Sequence, residues 1–286
     1  MDSYIGLMPE TELLPVREAD RELDLVLRAI GSIPDFAKRS AKTIRKAVDG
    51  VLRGESTARY SIHQLTPEEK KHIGTQVECE LKREFFKDRK GKRLDTSVED
   101  VDVDIKNTIR ETWMIPPEAV GSLCLLSLIN EDAATYSIGM VRAWPELLNS
   151  ENQDKKRSLS RKGKDTISWL IDKQSLPVSL FLANPHVRER VFAKASGQTR
   201  VAELFRLERD RPIQRSDIAV AAAYNERRQV DLRARVRDAK KTLMQEGLLV
   251  LRGWNKSERE EAASRGSVVA GDQCICLSPV PRGTSA

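Results

Sequence analysis

VEDVDVDIK (98–106) is the stretch on which the reading of this chain turns. Val101, Val103 and Ile105 alternate with Asp100, Asp102, Asp104 and Lys106. Side chains two apart on an extended chain project to the same side. The alternation therefore predicts a β-strand with one apolar and one charged face, and Asp104 and Lys106 stand together on the charged face. A carboxylate beside an ammonium suits phosphodiester hydrolysis. The carboxylate holds a divalent cation at the phosphate, and the ammonium offsets charge that develops there in the transition state. A solvent-facing strand of mixed charge would carry the same triplet, and Asp-x-Lys is common by chance.

One carboxylate holds magnesium poorly, so the strand needs a partner group. Asp95 lies nine residues earlier, in a short strand-like piece, Leu94 to Ser97, that follows the turn DRKGKR (88–93). The helix before that turn can supply a third carboxylate. Its start is legible: Thr66 as cap, Pro67 at the first helical position, and Glu69 closing a capping box. Its apolar stripe is Ile73, Val77, Leu81 and Phe85, and Glu78 and Glu80 flank the stripe about equally. Periodicity leaves both open as the helix carboxylate.

Further outward, Leu23, Val26, Leu27 and Ile30 form one helical stripe, and Ile44, Val48, Val51 and Leu52 another. The break falls near Gly31 and Pro34. After the charged strand, LCLLSLI (123–129) and TYSIGMVRA (135–143) read as further strands. Helices followed by grouped strands predict an α/β or α+β domain with a small central sheet. Cys274 and Cys276 fit core packing, and no second Cys or His pair lies near them to make a zinc site.

Charge divides the chain. Residues 1–150 carry 22 Lys+Arg against 26 Asp+Glu, and residues 151–286 carry 27 against 17. The basic half is the better polyanion binder. SENQDKKRSLSRKGK (150–164) is nearly devoid of apolar residues and reads as a linker, either a solvated tether or a basic strap across phosphates. It sets expected domains at 1–164 and 165–286.

In the second domain Ser216 can cap a helix over 217–224, and NERR (225–228) is a polar turn. A helix over about 230–245 buries Leu232, Val236, Ala239 and Leu243 and ends at Gly247. Two strands, 248–253 and 273–279, enclose a polar loop. That order predicts a mainly α winged-helix domain. Arg227 and Arg228 in the turn, with Arg237 and Lys241 on the helix face opposite the apolar stripe and Arg233 and Lys240 at its flanks, are the candidate DNA-binding groups.

Composition narrows the classes. Aromatics are 5%, too few for a large single-strand stacking platform. No apolar run approaches the roughly 20 residues that span a bilayer, and the acidic start MDSYIGLMPE is not a secretory signal. Four scattered cysteines predict a reducing, cytoplasmic setting.

The stretches GTQVECELKREF, RLDTSVEDVDVDIKNT, WMIPPE and GSLCLLSLINEDAATYSIGMVRA, all within 74–143, resemble the catalytic domain of NaeI-type type II restriction endonucleases. That family lies in the PD-(D/E)xK nuclease superfamily, with the mismatch-repair nickase MutH as a relative. IQRSDIAVAAAY and DLRARVRDAKKTLMQEGLLVLRGW, within 213–254, are similar to the winged-helix domain that follows in the family. The resemblance implies a restriction-endonuclease-like fold with a central mixed sheet. It implies Asp95, Asp104 and Lys106 as catalytic groups, with Glu78 the better match for the helix glutamate. Glu78, Asp95 and Asp104 would hold Mg2+. The superfamily's proline-aspartate pair is Leu94-Asp95 here, which keeps the carboxylate and drops the proline. A bacterial homodimer acting on double-stranded DNA is implied, with room for a second copy of the target as an effector. Two rivals share these residues: a MutH-like strand-nicking repair enzyme, and a winged-helix regulator with a decayed nuclease domain.

Overall fold

The computed structural model describes residues 20–226 and 229–278. Helices α1 (Arg21–Gly31) and α2 (Phe36–Leu52) are separated at the Gly31–Pro34 break. After a single turn, α3 (Gly54–Thr57), comes α4 (Pro67–Phe86). Its start is the capping box that the sequence requires: Thr66 Oγ1 accepts the Glu69 N–H at 3.3 Å, and Glu69 Oε2 accepts the Thr66 N–H at 3.0 Å.

The charged stretch forms a hairpin, β1 (Thr96–Val98) and β2 (Val101–Thr108), with Val98 opposite Val101. Glu99 and Asp100 have φ of 48° and 61°. Both central residues of such a two-residue turn take positive φ because that twist matches the flanking strands. The long strand therefore begins at 101, not 98, and Asp100 belongs to the turn.

Next come β3 (Met114–Ile115), β4 (Leu123–Asn130), β5 (Thr135–Arg142), β6 (Leu148–Glu151), β7 (Arg157–Leu159), α5 (Arg161–Asp165) and β8 (Ser168–Ser175). The main sheet has the order β1-β2-β4-β5-β8. The β2–β4 pair is parallel and the others antiparallel, so the sheet is mixed. One face, with Val103, Ile105, Leu123 and Leu125, packs on Val26, Ile30, Ile44, Val48, Ile73, Val77 and Leu81. The other face presents Cys124, Leu126 and Val141 to Trp113, Ile115, Leu148 and Leu159. Those partners come largely from a second small sheet, β3-β7-β6.

Two expectations change here. Residues 150–164 are not a tether: β6, β7 and α5 fold onto the main sheet, anchored by buried Leu148 and Leu159. Polar composition hid this because one apolar residue per short strand suffices when the other face is wet. The first domain also does not end at 164. β8 pairs with β5 as the edge strand of the main sheet, with Ile171 opposite Ile138. Its sequence, SWLIDKQS, alternates too weakly to be read as a strand.

The second unit begins with α6 (Leu180–Ala183), α7 (Pro185–Phe192) and α8 (Gly197–Leu207). It continues with β9 (Ile213–Gln214), α9 (Arg215–Ala223), α10 (Leu232–Gln245), β10 (Leu249–Arg252), α11 (Lys256–Ser264) and β11 (Gln273–Leu277). Its sheet has the order β10-β11-β9. Ser216 is not the cap of α9; it lies within the first turn, and Gln214 at the cap position makes no side-chain bond. The polar loop between the last two strands contains α11, capped by Asn255. Cys274 and Cys276 are buried in the core of this unit.

The core of the second unit is separate from those of the main sheet. The two units meet where Tyr60 packs edge-on against Phe181, 6.1 Å between ring centres. Among the described residues, no helix is long and apolar enough to cross a membrane.

Candidate active site

β1 is shorter than β2, and this mismatch builds the site. Beyond Val103 the outer edge of β2 has no strand beside it, since β1 begins at Thr96. Backbone N–H groups on that edge still need acceptors. Two carboxylates supply them. Asp95 Oδ2 accepts the Ile105 N–H at 2.9 Å, and Glu78 Oε1, reaching down from α4, accepts the Asn107 N–H at 3.3 Å. The open edge of one strand thus gathers a loop aspartate and a helix glutamate beside Asp104 and Lys106.

The Lys106 ammonium sits among these carboxylates. Its Nζ donates to Asp104 Oδ1 at 2.9 Å, to the Ile105 carbonyl at 3.0 Å, and more loosely to Asp95 Oδ2 at 3.4 Å. Asp104 is buried, and its Oδ2 receives no hydrogen bond even though Nζ is 2.8 Å away. That oxygen is held by the ion pair with Lys106 alone, so the Asp104 side chain is a buried carboxylate with spare acceptor capacity.

Burial pushes the Glu78 carboxyl up to about 7, with Lys106 partly opposing. Burial likewise pushes Asp104 up to about 6, again against Lys106. For Asp95 burial acts upward, but the Ile105 N–H and the Lys106 ammonium outweigh it and hold the carboxyl below its usual range. Burial disfavours the Lys106 ammonium, yet Asp104, Glu78 and Asp95 more than compensate, so its pKa is raised and the charge is secure at neutral pH. The four groups form one cluster that is short of positive charge, which a divalent cation would supply. Among the described residues no three His, Cys, Asp or Glu side chains converge as a ready metal cage. The carboxylates share the ammonium of Lys106. The donor set is all hard oxygen, which suits magnesium, an ion that retains several waters and takes few protein ligands.

Glu78 and Glu80 leave α4 in different directions. Glu80 pairs with Lys46 at 2.8 Å and with Arg83 at 2.6 Å, and the Lys46 bond leads in holding its carboxyl below the usual range. It takes no part in the cluster. Two groups of the surroundings were not singled out from the sequence. Asn107 ties β2 to β4 by accepting the Ser127 hydroxyl at 2.8 Å, and Trp113 donates to the Ser127 carbonyl at 2.9 Å. Only the register of β2 against β4, which pairs Asn107 with Ser127, reveals them.

The candidate DNA-binding groups lie apart, in the second unit. α10 buries Leu232, Val236, Ala239 and Leu243, the stripe expected from sequence. Arg233, Arg237 and Lys241 are exposed at four-residue spacing, which puts them on one face. Arg237 meets its neighbour Asp238 at 3.5 Å. Lys240 is turned inward instead, bound to Glu258 of α11 at 3.0 Å beside Arg252, so it is a packing group. Arg227 and Arg228 lie outside the described residues.

A buried carboxylate and a lysine two apart on a strand, with further carboxylates from a loop and a helix and a mixed sheet beneath, define a domain of the restriction-endonuclease type. The family model described as "Restriction endonuclease NaeI" matches residues 25–275. The curated protein "Type II restriction enzyme NaeI" of Lentzea aerocolonigenes is 36% identical over 255 residues, 84% of this chain and 78% of that protein. The chain belongs to the NaeI family of restriction endonucleases, site-specific deoxyribonucleases.

Proposed function

We propose that this chain cuts double-stranded DNA at a specific sequence, using Mg2+ held by Asp95 and Asp104 with Glu78 in support, to leave 5′-phosphate and 3′-hydroxyl ends. The observation that carries the reading is the buried Asp104 carboxylate in a cluster of three carboxylates, Glu78, Asp95 and Asp104, gathered around the ammonium of Lys106. Mg2+ bound there supplies charge stabilisation at the phosphate and makes water more acidic. The chain's own groups do the rest. Asp95, with its carboxyl held low, stays ionised and anchored to the Ile105 N–H. Lys106 keeps its proton and aims fixed positive charge at the reacting phosphate, which is most effective when the field is preorganised and partly desolvated. Glu78, anchored to the Asn107 N–H, completes the set of carboxylates around Lys106.

The second unit serves as a winged-helix DNA binder in this reading. A helix before a short strand, two further helices and a ribbon whose last strand lies centrally (β10-β11-β9) support it. Arg233, Arg237 and Lys241 on α10 face the duplex, joined by Arg227 and Arg228. The boundary between the units falls at about residues 176–180, between β8 and α6. A homodimer acts on a palindromic target because two strands need two sites related by a two-fold axis. The second unit binds a further copy of the target, and the enzyme works in a bacterial cytoplasm.

Digestion of a defined supercoiled plasmid with Mg2+, followed by end sequencing, tests this. Linear product with one recurrent sequence at its ends supports it. Nicked circles alone would favour a strand-nicking repair enzyme. Intact plasmid with retained duplex binding would favour a regulator.

A further inference from the structure

Asp102 shares the charged face of β2 with Asp104 and Lys106, yet its carboxylate is not part of the cluster. It turns outward to the loop that carries Asp95. Its two oxygens accept the backbone N–H groups of Lys92 and Arg93, each at 2.8 Å. The loop is closed further by Thr96 Oγ1, which donates to the Arg89 carbonyl at 2.9 Å. Gly91 fits only because it lacks a side chain. A Cβ there would fall 2.5 Å from the Thr96 carbonyl oxygen, 2.8 Å from Asp102 Oδ1 and 2.9 Å from the Leu94 carbonyl oxygen.

The strands locate Asp95 on one side only. β1 begins at Thr96, so Asp95 is the first residue beyond the ladder, and its backbone is held from the other side by the 89–94 loop. Asp102 is where that loop is attached to the strand that bears Asp104. Two charge-assisted hydrogen bonds from one carboxylate to consecutive N–H groups are strong and directional. We infer that Asp102 is a positioning residue of this endonuclease: it sets the separation of the Asp95 and Asp104 carboxylates by clamping the Asp95 loop to β2. The inference rests on Asp95 and Asp104 serving together in the reaction. Displacement of one of them by about 1 Å is enough to cost about 10²-fold in rate, so the clamp need not break for its loss to be felt.

The test compares Asp102→Ala, Asp102→Asn and Gly91→Ala with Asp95→Ala and with Asp100→Ala. Asp100 is a control from the same hairpin, a turn carboxylate whose ion pair with Arg89 at 2.9 Å is solvent-exposed and contributes little. Four measurements are made on the full-length protein: turnover kinetics (kcat and KM) on a duplex carrying the target, Mg2+ binding by titration calorimetry without DNA, duplex affinity at fixed salt with Ca2+ in place of Mg2+, and the thermal midpoint. Asp102→Ala and Gly91→Ala are expected to lower kcat by about 10²-fold and to weaken Mg2+ binding several-fold, with KM and duplex affinity close to wild type. Asp102→Asn keeps one acceptor oxygen and should fall between. Asp100→Ala should match wild type in turnover, Mg2+ binding and duplex affinity, with only a small drop in thermal midpoint because alanine is disfavoured at that positive φ. The inference is overturned if Asp102→Ala binds Mg2+ and turns over like Asp100→Ala. It is also overturned if its deficit disappears at temperatures well below its midpoint, since a structural role alone predicts that. If Asp95→Ala itself still cleaves, the reading of the site fails instead, and the two failures are told apart.

Discussion

Asp217→Asn should make the protein more stable at pH 8 than at pH 5 relative to wild type. Asp217 lies in the first turn of α9 and is buried, and burial pushes its carboxyl up to about 6, with Ser179, Arg45 and the Leu180 N–H partly opposing. Its Oδ1 accepts the Ser179 hydroxyl at 2.7 Å and the Leu180 N–H at 3.0 Å. A folded-state pKa above the unfolded value of 3.8 means that the native state holds the proton to higher pH. The unfolded chain binds fewer protons between the two values, so stability is lost as pH rises through that window. Two pH units correspond to about 3 kcal/mol of penalty once the group is ionised. Roughly half of it is already present at pH 5, which leaves about 1.4 kcal/mol to develop between pH 5 and pH 8. Asparagine keeps the Oδ1 acceptor for both bonds and carries no charge. Its NH2 group brings a desolvation cost of about 1–3 kcal/mol if it finds no partner, but that cost does not vary with pH. Urea unfolding at pH 5 and pH 8 therefore reads the argument in the difference: the variant should gain about 1–1.5 kcal/mol on wild type between the two. A pH-independent difference, or a larger advantage at pH 5, would refute it.

Asp104→Ala and Lys106→Ala should each reduce cleavage by at least about 10²–10³-fold while duplex affinity stays near wild type, because most affinity comes from phosphate contacts elsewhere; cleavage within tenfold of wild type would remove either residue from the chemistry. Arg237→Ala or Lys241→Ala should leave the thermal midpoint unchanged and lower the salt dependence of duplex binding by about one, whereas wild-type binding across a salt titration would show that α10 does not face DNA. Val236→Ala removes a fully buried side chain from the same helix and should cost roughly 1–3 kcal/mol in urea unfolding, with binding affected only through unfolding. A fragment ending at residue 164 loses β8 and uncovers the β5 edge, so it should be markedly less stable by circular dichroism than one ending at 178; equal melting of the two would restore the earlier boundary.

Periodicity carried far in this chain because its signals are local. The capping box at Thr66, the stripe Ile73–Val77–Leu81, the buried face of α10 and the strands 123–130 and 135–142 each depend on neighbours within a few residues, and each is found where the sequence puts it. Asp104 and Lys106 were legible for the same reason: two residues apart on a strand is a same-side pair in any fold. What a strand borders is not a local property. That β1 stops short and leaves the Ile105 and Asn107 N–H groups to Asp95 and Glu78 depends on register, and so does the selection of Glu78 over Glu80. Lys240 and Asp102 look like their charged neighbours in sequence, yet one is held by Glu258 and the other by a loop it closes. β8 and the 148–159 hairpin have patterns too weak to read alone, and they exist because an open sheet edge and an uncovered apolar face were there to receive them. The sequence by itself determined the long helices, the central strands, the nuclease family and the aspartate–lysine pair. The tertiary structure alone decided which further carboxylates join that pair, because only pairing across the chain sets which backbone donors remain to be met.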